Sequence, residues 1–177
     1  PLKYGNISDP LNYDATEKIG AGYGMVKYTY QKWEFIAGVR VEHTNQGYTL
    51  KFPTENTDPE GYQKYTDVLP SFHAKYGVHK NANLRFSYAR SINRPSFFEI
   101  VPYSIINEDY KEKGNPDLKH TVADNIDLRY EFFPKSSEQF MVGMFYKRLQ
   151  NPIEYGLLNE GQDTYYKPMN FGNATNL

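Results

Sequence analysis

Charged side chains that could act as acids or bases recur at alternate positions along several segments of this 177-residue chain. Carboxylates share those positions with arginines, and the set is Glu34, Arg40, Glu42, Arg85, Asp127, Arg129 and Glu131. A catalytic interpretation would make two of the carboxylates an acid–base pair. Opposite charges that alternate along several strands instead favour a mixed-charge ladder on one face of a sheet. We therefore predict that the protein is not an enzyme.

Residue types that hold metals or act as nucleophiles are absent or badly spaced. The four histidines, His43, His73, His79 and His120, do not have metal-binding spacing, and the chain contains no cysteine. A disulfide, a cysteine-bound zinc ion and a thiol nucleophile are therefore excluded. The chain also lacks a nucleophile motif and a glycine-rich phosphate loop. We predict no metal and no cofactor, and the net charge of −1 gives no indication of nucleic acid as a partner.

The segment from Ile126 to Phe132 shows most clearly which element carries these charges. Apolar and polar residues alternate there without a slip. Successive side chains of a strand point to opposite faces, so one face of this strand is apolar and the other is charged. A soluble sheet with one solvated face has this pattern. A membrane barrel strand, apolar toward lipid and polar toward a watery lumen, has it as well.

Other segments have compatible patterns and complete an antiparallel meander of about seven strands, an all-β fold. The predicted strands are residues 15–30, 33–48, 66–78, 82–92, 122–132, 138–150 and 164–171. A change of phase near Met25 and Val26 predicts a β-bulge in the first strand. Pro70 cannot donate to a ladder, so it predicts a bulge or a strand start in the third.

The connections between the predicted strands sort by length. The short turns are residues 31–32, 79–81 and 134–137, the long loops are residues 49–65 and 93–120, and residues 151–163 form a medium loop. Alternate connections of an antiparallel meander lie at opposite ends of the sheet. All short turns therefore lie at one end, as in outer-membrane barrels. The chain has no run of 18 apolar residues and so no transmembrane helix, but barrel strands never form such runs.

Aromatic residues on the apolar phase mark both ends of the predicted strands. Near the short turns they are Tyr28, Tyr30, Trp33, Phe35, Tyr76, Phe132 and Phe140, and near the other ends they are Tyr88 and Tyr146. An apolar belt between two aromatic girdles is typical of a membrane barrel, although aromatic residues also favour strands in general. Seven strands leave two unpaired edges, which lipid does not tolerate. We therefore predict a section of a larger transmembrane β-barrel.

Four stretches resemble a known family in their order and spacing. They are residues 65–71 (YTDVLPS), residues 84–97 (LRFSYARSINRPSF), residues 114–119 (GNPDLK) and the hairpin of residues 125–131 with 145–147. Together they resemble the barrel domain of TonB-dependent outer-membrane receptors. His120 and Thr121 stand where the family often has Pro-Glu, which puts the local turn in doubt.

The resemblance implies a barrel of about 22 strands around a plug domain, in the bacterial outer membrane. It implies energy-coupled uptake of a scarce nutrient, with iron chelates, cobalamin, glycans and peptides all open. The implied partners are outer-membrane lipid, the plug domain of the same receptor, the TonB complex and a small-molecule or glycan ligand. The plug, the TonB-contacting segment and the remaining strands would lie outside these 177 residues. A passive porin-like barrel and a soluble β-sheet binding protein are the alternatives.

Two groups of residues are candidates for function. Six polar residues are predicted to face the lumen or the plug, namely Arg40, Glu42, Arg85, Asp127, Arg129 and Glu131. Residues 97–106 are too apolar for a free loop, so they fold over the barrel mouth, pack on a neighbouring loop or contact ligand through stacking aromatics. The candidate ligand-contacting residues are Arg94, Phe97, Phe98, Tyr103 and Tyr110. The pairs Arg94-Pro95 and Asn115-Pro116 are interpreted as structural, because proline restricts itself and the residue before it.

Overall fold

The computed structural model describes residues 11–53, 57–106, 108, 110–135, 137–161 and 163–177. These residues form strands and one helical turn. The elements are β1 (Tyr13–Tyr30), β2 (Trp33–Leu50), β3 (Glu60–His79), β4 (Ala82–Asn93), α1 (Phe97–Ile100), β5 (Ser104–Ile106), β6 (Lys111–Lys113), β7 (Thr121–Lys135), β8 (Glu138–Gln150), β9 (Ile153–Glu160), β10 (Asp163–Asn170) and β11 (Asn173–Asn176). No helix in this part of the chain is long and apolar enough to cross a membrane.

Seven strands form one antiparallel sheet in the order β1-β2-β3-β4-β7-β8-β11, which we call the main sheet. Its first three strands are 18, 18 and 20 residues long. The register shifts of the main sheet lie between Gly77 and His79 and between Phe132 and Lys135, both next to short turns. The predicted seven-stranded antiparallel meander is therefore confirmed.

The seventh strand of the main sheet is β11, and the prediction of residues 164–171 for this strand is wrong. The chain leaves the main sheet after Gln150 through Asn151, whose φ is 52°, and returns through Gly172, whose φ is 26°. Backbone hydrogen bonds close this detour, from Asn151 N to Gly172 O (2.8 Å) and from Phe171 N to Pro152 O (2.9 Å). The residues between form the hairpin of β9 and β10, where a loop was expected for 151–163.

Two backbone irregularities predicted from the sequence are absent from the described strands. The register of β1 against β2 runs without a shift past Met25, so the bulge prediction is wrong. The phase changes there because apolar side chains move from one face of β1 to the other. Pro70 lies inside β3 opposite Val39, and the register of β2 against β3 has no shift there, so the prediction of a bulge or strand start at Pro70 is wrong. Pairing between β3 and β4 begins only at Ser71, so the missing N–H of Pro70 leaves no ladder bond unmade on that side.

The long connections form a second, four-stranded sheet in the order β5-β6-β10-β9. Strands β6 and β10 pair in parallel although they come from different connections, with Tyr165 opposite Lys111. Helix α1 begins at Ser96 with a capping box to Glu99. We call residues 94–120 and 151–172 the loop layer. A buried cluster of Tyr48, Leu50, Ile100, Val101 and Leu118 joins it to the ends of β2.

The hairpin of β2 and β3 also extends further than predicted. Pairing runs to Thr49 opposite Glu60, which shortens the expected loop of residues 49–65 to residues 51–59. The added pairs are largely polar, so the sequence there lacks the alternation that marks the lower strands. Their backbone hydrogen bonds and the buried Tyr48 stabilise the extension.

Directly paired residues share a face, and the register therefore assigns every strand two faces. The outer face of the main sheet carries an apolar band with ring contacts such as Trp33 to Tyr76, at 4.6 Å between centroids. The band includes Val39, Val41, Phe72, Leu84, Phe86, Tyr88, Ile126, Leu128, Tyr130, Phe140, Val142, Met144 and Tyr146. Most of these side chains are exposed, as a surface in contact with lipid would be.

Candidate functional site

The six residues predicted to face a lumen or plug all lie on the inner face of the main sheet. Arg40 and Glu42 alternate with the outward Val39 and Val41 on β2. The other four are Arg85 on β4 and Asp127, Arg129 and Glu131 on β7. The strict alternation of strands brings them to one surface, opposite the apolar band.

Ion pairs form on the inner face both between and within strands. Arg85 Nε on β4 donates to Glu131 Oε2 on β7 at 2.8 Å, and within β2 Arg40 Nε donates to Glu42 Oε1 at 2.6 Å. Lys27 and Glu34 pair at 2.9 Å between β1 and β2. The mixed-charge ladder expected from the sequence is therefore present as geometry, and each of these carboxylates is held by a cation rather than by a second acid.

A recess of about 450 Å³ lies on the lower half of the inner face. Its polar lining consists of Glu34, His73, Lys75, Arg85, Ser87, Asp127 and Arg129. Lys75, Arg85 and Arg129 stand directly opposite one another on β3, β4 and β7. Like charges in direct opposition are destabilising, so this row favours an anionic group placed over it. The recess is therefore suited to binding an anionic group rather than to acid–base catalysis.

The upper end of the inner face anchors the loop layer. Arg94 binds Glu42 through Nη2, and its Nε donates to Thr44 Oγ1 at 3.1 Å. Gln46 Nε2 donates to the Pro95 carbonyl at 3.0 Å. These bonds hold the chain where it leaves β4. The guanidinium of Arg94 is therefore bound to side chains of β2 and does not project freely from a loop.

The other end of the same connection is fixed by an aromatic contact and a short polar contact. The ring of His120 stacks on Tyr65 at 4.1 Å between centroids, and its Nε2 lies 2.9 Å from Asp67 Oδ1. His120 is thus a structural histidine where the family motif departs from its usual sequence.

Residues 114–118 bind both the second long connection of the loop layer and strand β3. A side chain at Gly114 would overlap the carbonyl of Val101, so only glycine fits. Asn115 Nδ2 donates to the Pro168 carbonyl at 2.9 Å, which ties the two long connections together. Gln63 Nε2 donates to the carbonyls of Pro116 (2.8 Å) and Leu118 (2.9 Å). The contacts made by Asn115 fit the structural interpretation of this motif.

The candidate ligand-contacting residues are distributed between the interior and the surface of the loop layer. Phe97 packs against the buried cluster, and Tyr103 is only 2% exposed. Burial and the hydrogen bond from Tyr103 to Glu112 (2.9 Å) raise the pKa of the tyrosine hydroxyl. Phe98 and Tyr110 are 39% and 37% exposed. The structure therefore leaves two of the five aromatic or basic candidates accessible.

A tyrosine group on the second sheet was not singled out from the sequence. Tyr155 stacks on Tyr166 at 5.1 Å, and Tyr110 meets Tyr166 edge-on at 5.6 Å. Tyr155 lies on β9, Tyr166 on β10 and Tyr110 directly before β6. The three rings meet because β9 pairs antiparallel with β10 and β6 joins β10 in parallel. Three tyrosines in residues 153–170, Tyr155, Tyr165 and Tyr166, were a usable signal, but the sequence did not indicate that Tyr110 would join them.

Among the described residues, no group of three or more histidine, aspartate or glutamate side chains is close enough together to hold a metal ion.

A family model described as the outer membrane protein beta-barrel family matches residues 4–177. The chain belongs to this family. Its place is the bacterial outer membrane, and the apolar band is the surface in contact with lipid. This assignment removes the soluble β-sheet protein from the alternatives. No curated protein matches the sequence.

Solved structures share the fold at low sequence identity. The siderophore receptor PirA from Pseudomonas aeruginosa has a TM-score of 0.60 at 13% identity over 93% of this chain. The copper transporter OprC has a TM-score of 0.63 at 15% identity over 89% of it. A mutant of the ferric enterobactin receptor PfeA from Pseudomonas aeruginosa, in complex with enterobactin, has a TM-score of 0.58 at 14% identity over 91%.

The present chain covers 39%, 24% and 32% of the length of those three proteins, respectively. The resemblance to the barrel of TonB-dependent receptors is confirmed at the level of fold, as a section of an outer-membrane β-barrel. The similar proteins are named as receptors and a transporter rather than as enzymes.

Proposed function

We propose that the chain is a partial barrel domain, residues 1–177, of a TonB-dependent receptor that takes up a scarce external nutrient by energy-coupled transport. The observation that carries this proposal is the folded loop layer. It lies at one end of the main sheet, whose outer face is apolar and whose inner face is charged. A pore for passive flow needs an open lumen, whereas a receptor needs a structured surface that meets its ligand first.

The inner face is the proposed contact surface for a plug domain of the same receptor. The row of Lys75, Arg85 and Arg129 has only Glu131 as a recorded ion-pair partner within the described strands. A plug segment carrying carboxylates would neutralise this row in a site that water reaches poorly. TonB would act on such a plug through segments that lie outside the present sequence.

The accessible aromatic side chains of the loop layer are the proposed ligand-contacting surface. Phe98 and Tyr110 are exposed candidates, and Tyr155 adds a third exposed ring at 38%. Rings of this kind stack on sugars and on aromatic chelators. Arg94, Phe97 and Tyr103 contribute by fixing the layer, since their functional groups are already engaged.

Uptake by cells that express the full-length receptor tests the proposal. Radiolabelled ferric siderophore, cobalamin, oligosaccharide and peptide are offered separately, with and without a functional TonB. We expect accumulation of one probe that depends on both the receptor and TonB. Accumulation of small solutes that is equal with and without TonB, together with a large open conductance in planar bilayers, would establish the passive porin-like alternative instead.

The orientation of the loop layer has its own test. Single cysteines replace Glu112 in the layer and Lys80 in a short turn of the full-length receptor. We expect a membrane-impermeant thiol reagent to label Glu112→Cys and not Lys80→Cys on intact cells, because the long connections lie outside. Labelling of Lys80→Cys alone would reverse the proposed topology.

A further inference from the structure

The outer face of β4, β7 and β8 changes abruptly from apolar to charged at one level. From Ala82, Phe132 and Phe140 upward, these strands present only uncharged residues on that face, as far as Tyr88, Ile126 and Tyr146. The next outward residues are Arg90, Asp124 and Arg148, which stand in direct register across the three strands. We call these three residues the rim row. Ile92, Val122 and Gln150 follow on the same face.

The position of the rim row relative to the aromatic residues defines its surroundings. Tyrosines on the lipid-facing side of a barrel mark the level of the lipid headgroups. Tyr88 and Tyr146 both directly precede the row along their strands, and the Tyr88 hydroxyl donates to Asp124 Oδ1 at 2.8 Å. An arginine on the lipid face destabilises a barrel strongly at the bilayer centre, but the free-energy cost falls almost to zero at the headgroup level. The row therefore lies among headgroups.

The hydrogen bonds within the row leave one positive charge uncompensated. Arg90 holds Asp124 in a two-point fork, with Nε to Oδ1 at 2.8 Å and Nη2 to Oδ2 at 3.2 Å. Arg148 is exposed on the far side of Asp124, and no ion pair of its own is formed within the described residues. Two arginines thus flank a single carboxylate whose oxygens are already engaged.

We infer that the rim row is a binding site for the phosphate group of an anionic lipid in the outer leaflet. Guanidinium groups bind phosphate oxygens with two parallel hydrogen bonds, and this geometry is available at Arg148. Asp124 holds the guanidinium of Arg90 on the same face through its Nε and Nη2. The long connections place this end of the sheet outside, so the ligand is the phosphorylated glycolipid of that leaflet. This inference concerns the lipid surface and is independent of the nutrient.

Lipid binding to the full-length receptor, purified in mild detergent, tests the inference. The probe is lipid A, offered with its phosphates and after their enzymatic removal, and native mass spectrometry counts bound molecules. Arg148→Gln is expected to weaken binding of phosphorylated lipid A by about tenfold, the effect of losing one charge-assisted contact. Arg148→Lys should retain part of the affinity, because the charge remains and the fork is lost.

Lys147→Gln is the matched control, because Lys147 is adjacent in sequence and lies on the inner face. We expect it to bind lipid A as the unchanged receptor does. Equal binding by Arg148→Gln and Lys147→Gln, or equal binding of lipid A with and without phosphates, would overturn the inference. Displacement of lipid A by millimolar inorganic phosphate would also overturn it, in favour of a site for the free anion. Folding of each variant is read independently from its heat-modifiable migration on a gel.

Discussion

The main sheet and the loop layer are built from the same kinds of residue but are stabilised in different ways. In the main sheet, long strands pair with neighbours in sequence, and the side chains of the outer face pack against lipid rather than against protein. In the loop layer, the short strands β6 and β10 pair across about fifty residues, and a small buried cluster joins the layer to β2. One region depends on its environment and the other on internal contacts.

The difference shows where each region tolerates change. A polar substitution on the outer face places charge in lipid, and its cost depends on depth and face rather than on any specific partner. A substitution in the loop layer breaks a specific hydrogen bond, such as the one that the Asn115 side-chain amide donates to the Pro168 carbonyl. The first should affect assembly of the barrel, whereas the second should affect the loop layer and leave the barrel assembled. Four experiments separate these effects.

The largest expected effect is Leu128→Arg in the full-length receptor. Leu128 lies on the outer face in register with Phe86 and Met144. An arginine there costs about 2–4 kcal/mol near the bilayer midplane. We expect a large loss of folded barrel, measured as the heat-modifiable fraction on a gel.

Arg129→Leu is the control for this experiment, because Arg129 is the next residue and lies on the inner face. It should assemble nearly as well as the unchanged receptor. Similar losses from both substitutions would mean that the two faces of the main sheet have been assigned wrongly.

Gly114→Ala is the corresponding test of the loop layer. The new methyl group would overlap the Val101 carbonyl, so backbone must move. We expect a cost of about 1–3 kcal/mol, as for other overpacked sites, confined to the loop layer. Hydrogen exchange should show faster exchange in β5, β6 and α1 while the barrel remains heat-modifiable.

Gly156→Ala is its matched control, since the added methyl group would overlap the terminal methyl of Met169, which can move, and would make an ordinary contact with Phe171. It should leave exchange in the loop layer almost unchanged. If Gly114→Ala prevented barrel assembly as Leu128→Arg does, the two regions would not be independent.

Gln63→Ala tests the connection between the two regions. Its amide donates to two carbonyls of residues 116 and 118, and removing both bonds should cost about 1–2 kcal/mol. Proteolysis at residues 114–120 should become faster in the full-length receptor. Lys64→Ala changes the neighbouring residue on the outer face and should not alter the cleavage rate. Equal rates for both variants would show that Gln63 does not hold the layer.

The smallest effect is a pH dependence at the edge of the loop layer. Lys111 binds Asp163 at 2.6 Å, and this bond, with a second from Tyr165, holds the pKa of the Asp163 carboxyl below its usual value. A carboxyl whose pKa is lowered by folding stabilises the folded layer above its unfolded pKa, about 3.9. That contribution is lost as pH falls through the lowered pKa. Because the pair is exposed, the change should be slight.

Near-ultraviolet circular dichroism of the full-length receptor, titrated downward through this range, measures the change. Asp163→Asn cannot ionise, so its titration should lack the component that the unchanged receptor shows. Identical titrations of both proteins would indicate that the pair does not stabilise the layer.

Both faces of the main sheet follow from local sequence. Side-chain direction in a strand depends only on position along it, so alternation such as that of Leu128 and Arg129 assigns faces without knowledge of any partner. Short turns next to each strand also identify its neighbour. The six inner-face residues were predicted for this reason, and the structure places them together.

The loop layer was decided by tertiary structure. Its strands are short, and the pairing of Tyr165 with Lys111 joins segments whose separation no local period encodes. The seventh strand was misplaced for the same reason: residues 163–170 have strand pattern, but which sheet they join depends on the detour closed by Asn151 and Gly172. Whether an aromatic side chain such as Tyr103 is buried or exposed likewise depends on that distant pairing. The sequence therefore determined the main sheet and its two faces, whereas three-dimensional contacts determined the loop layer.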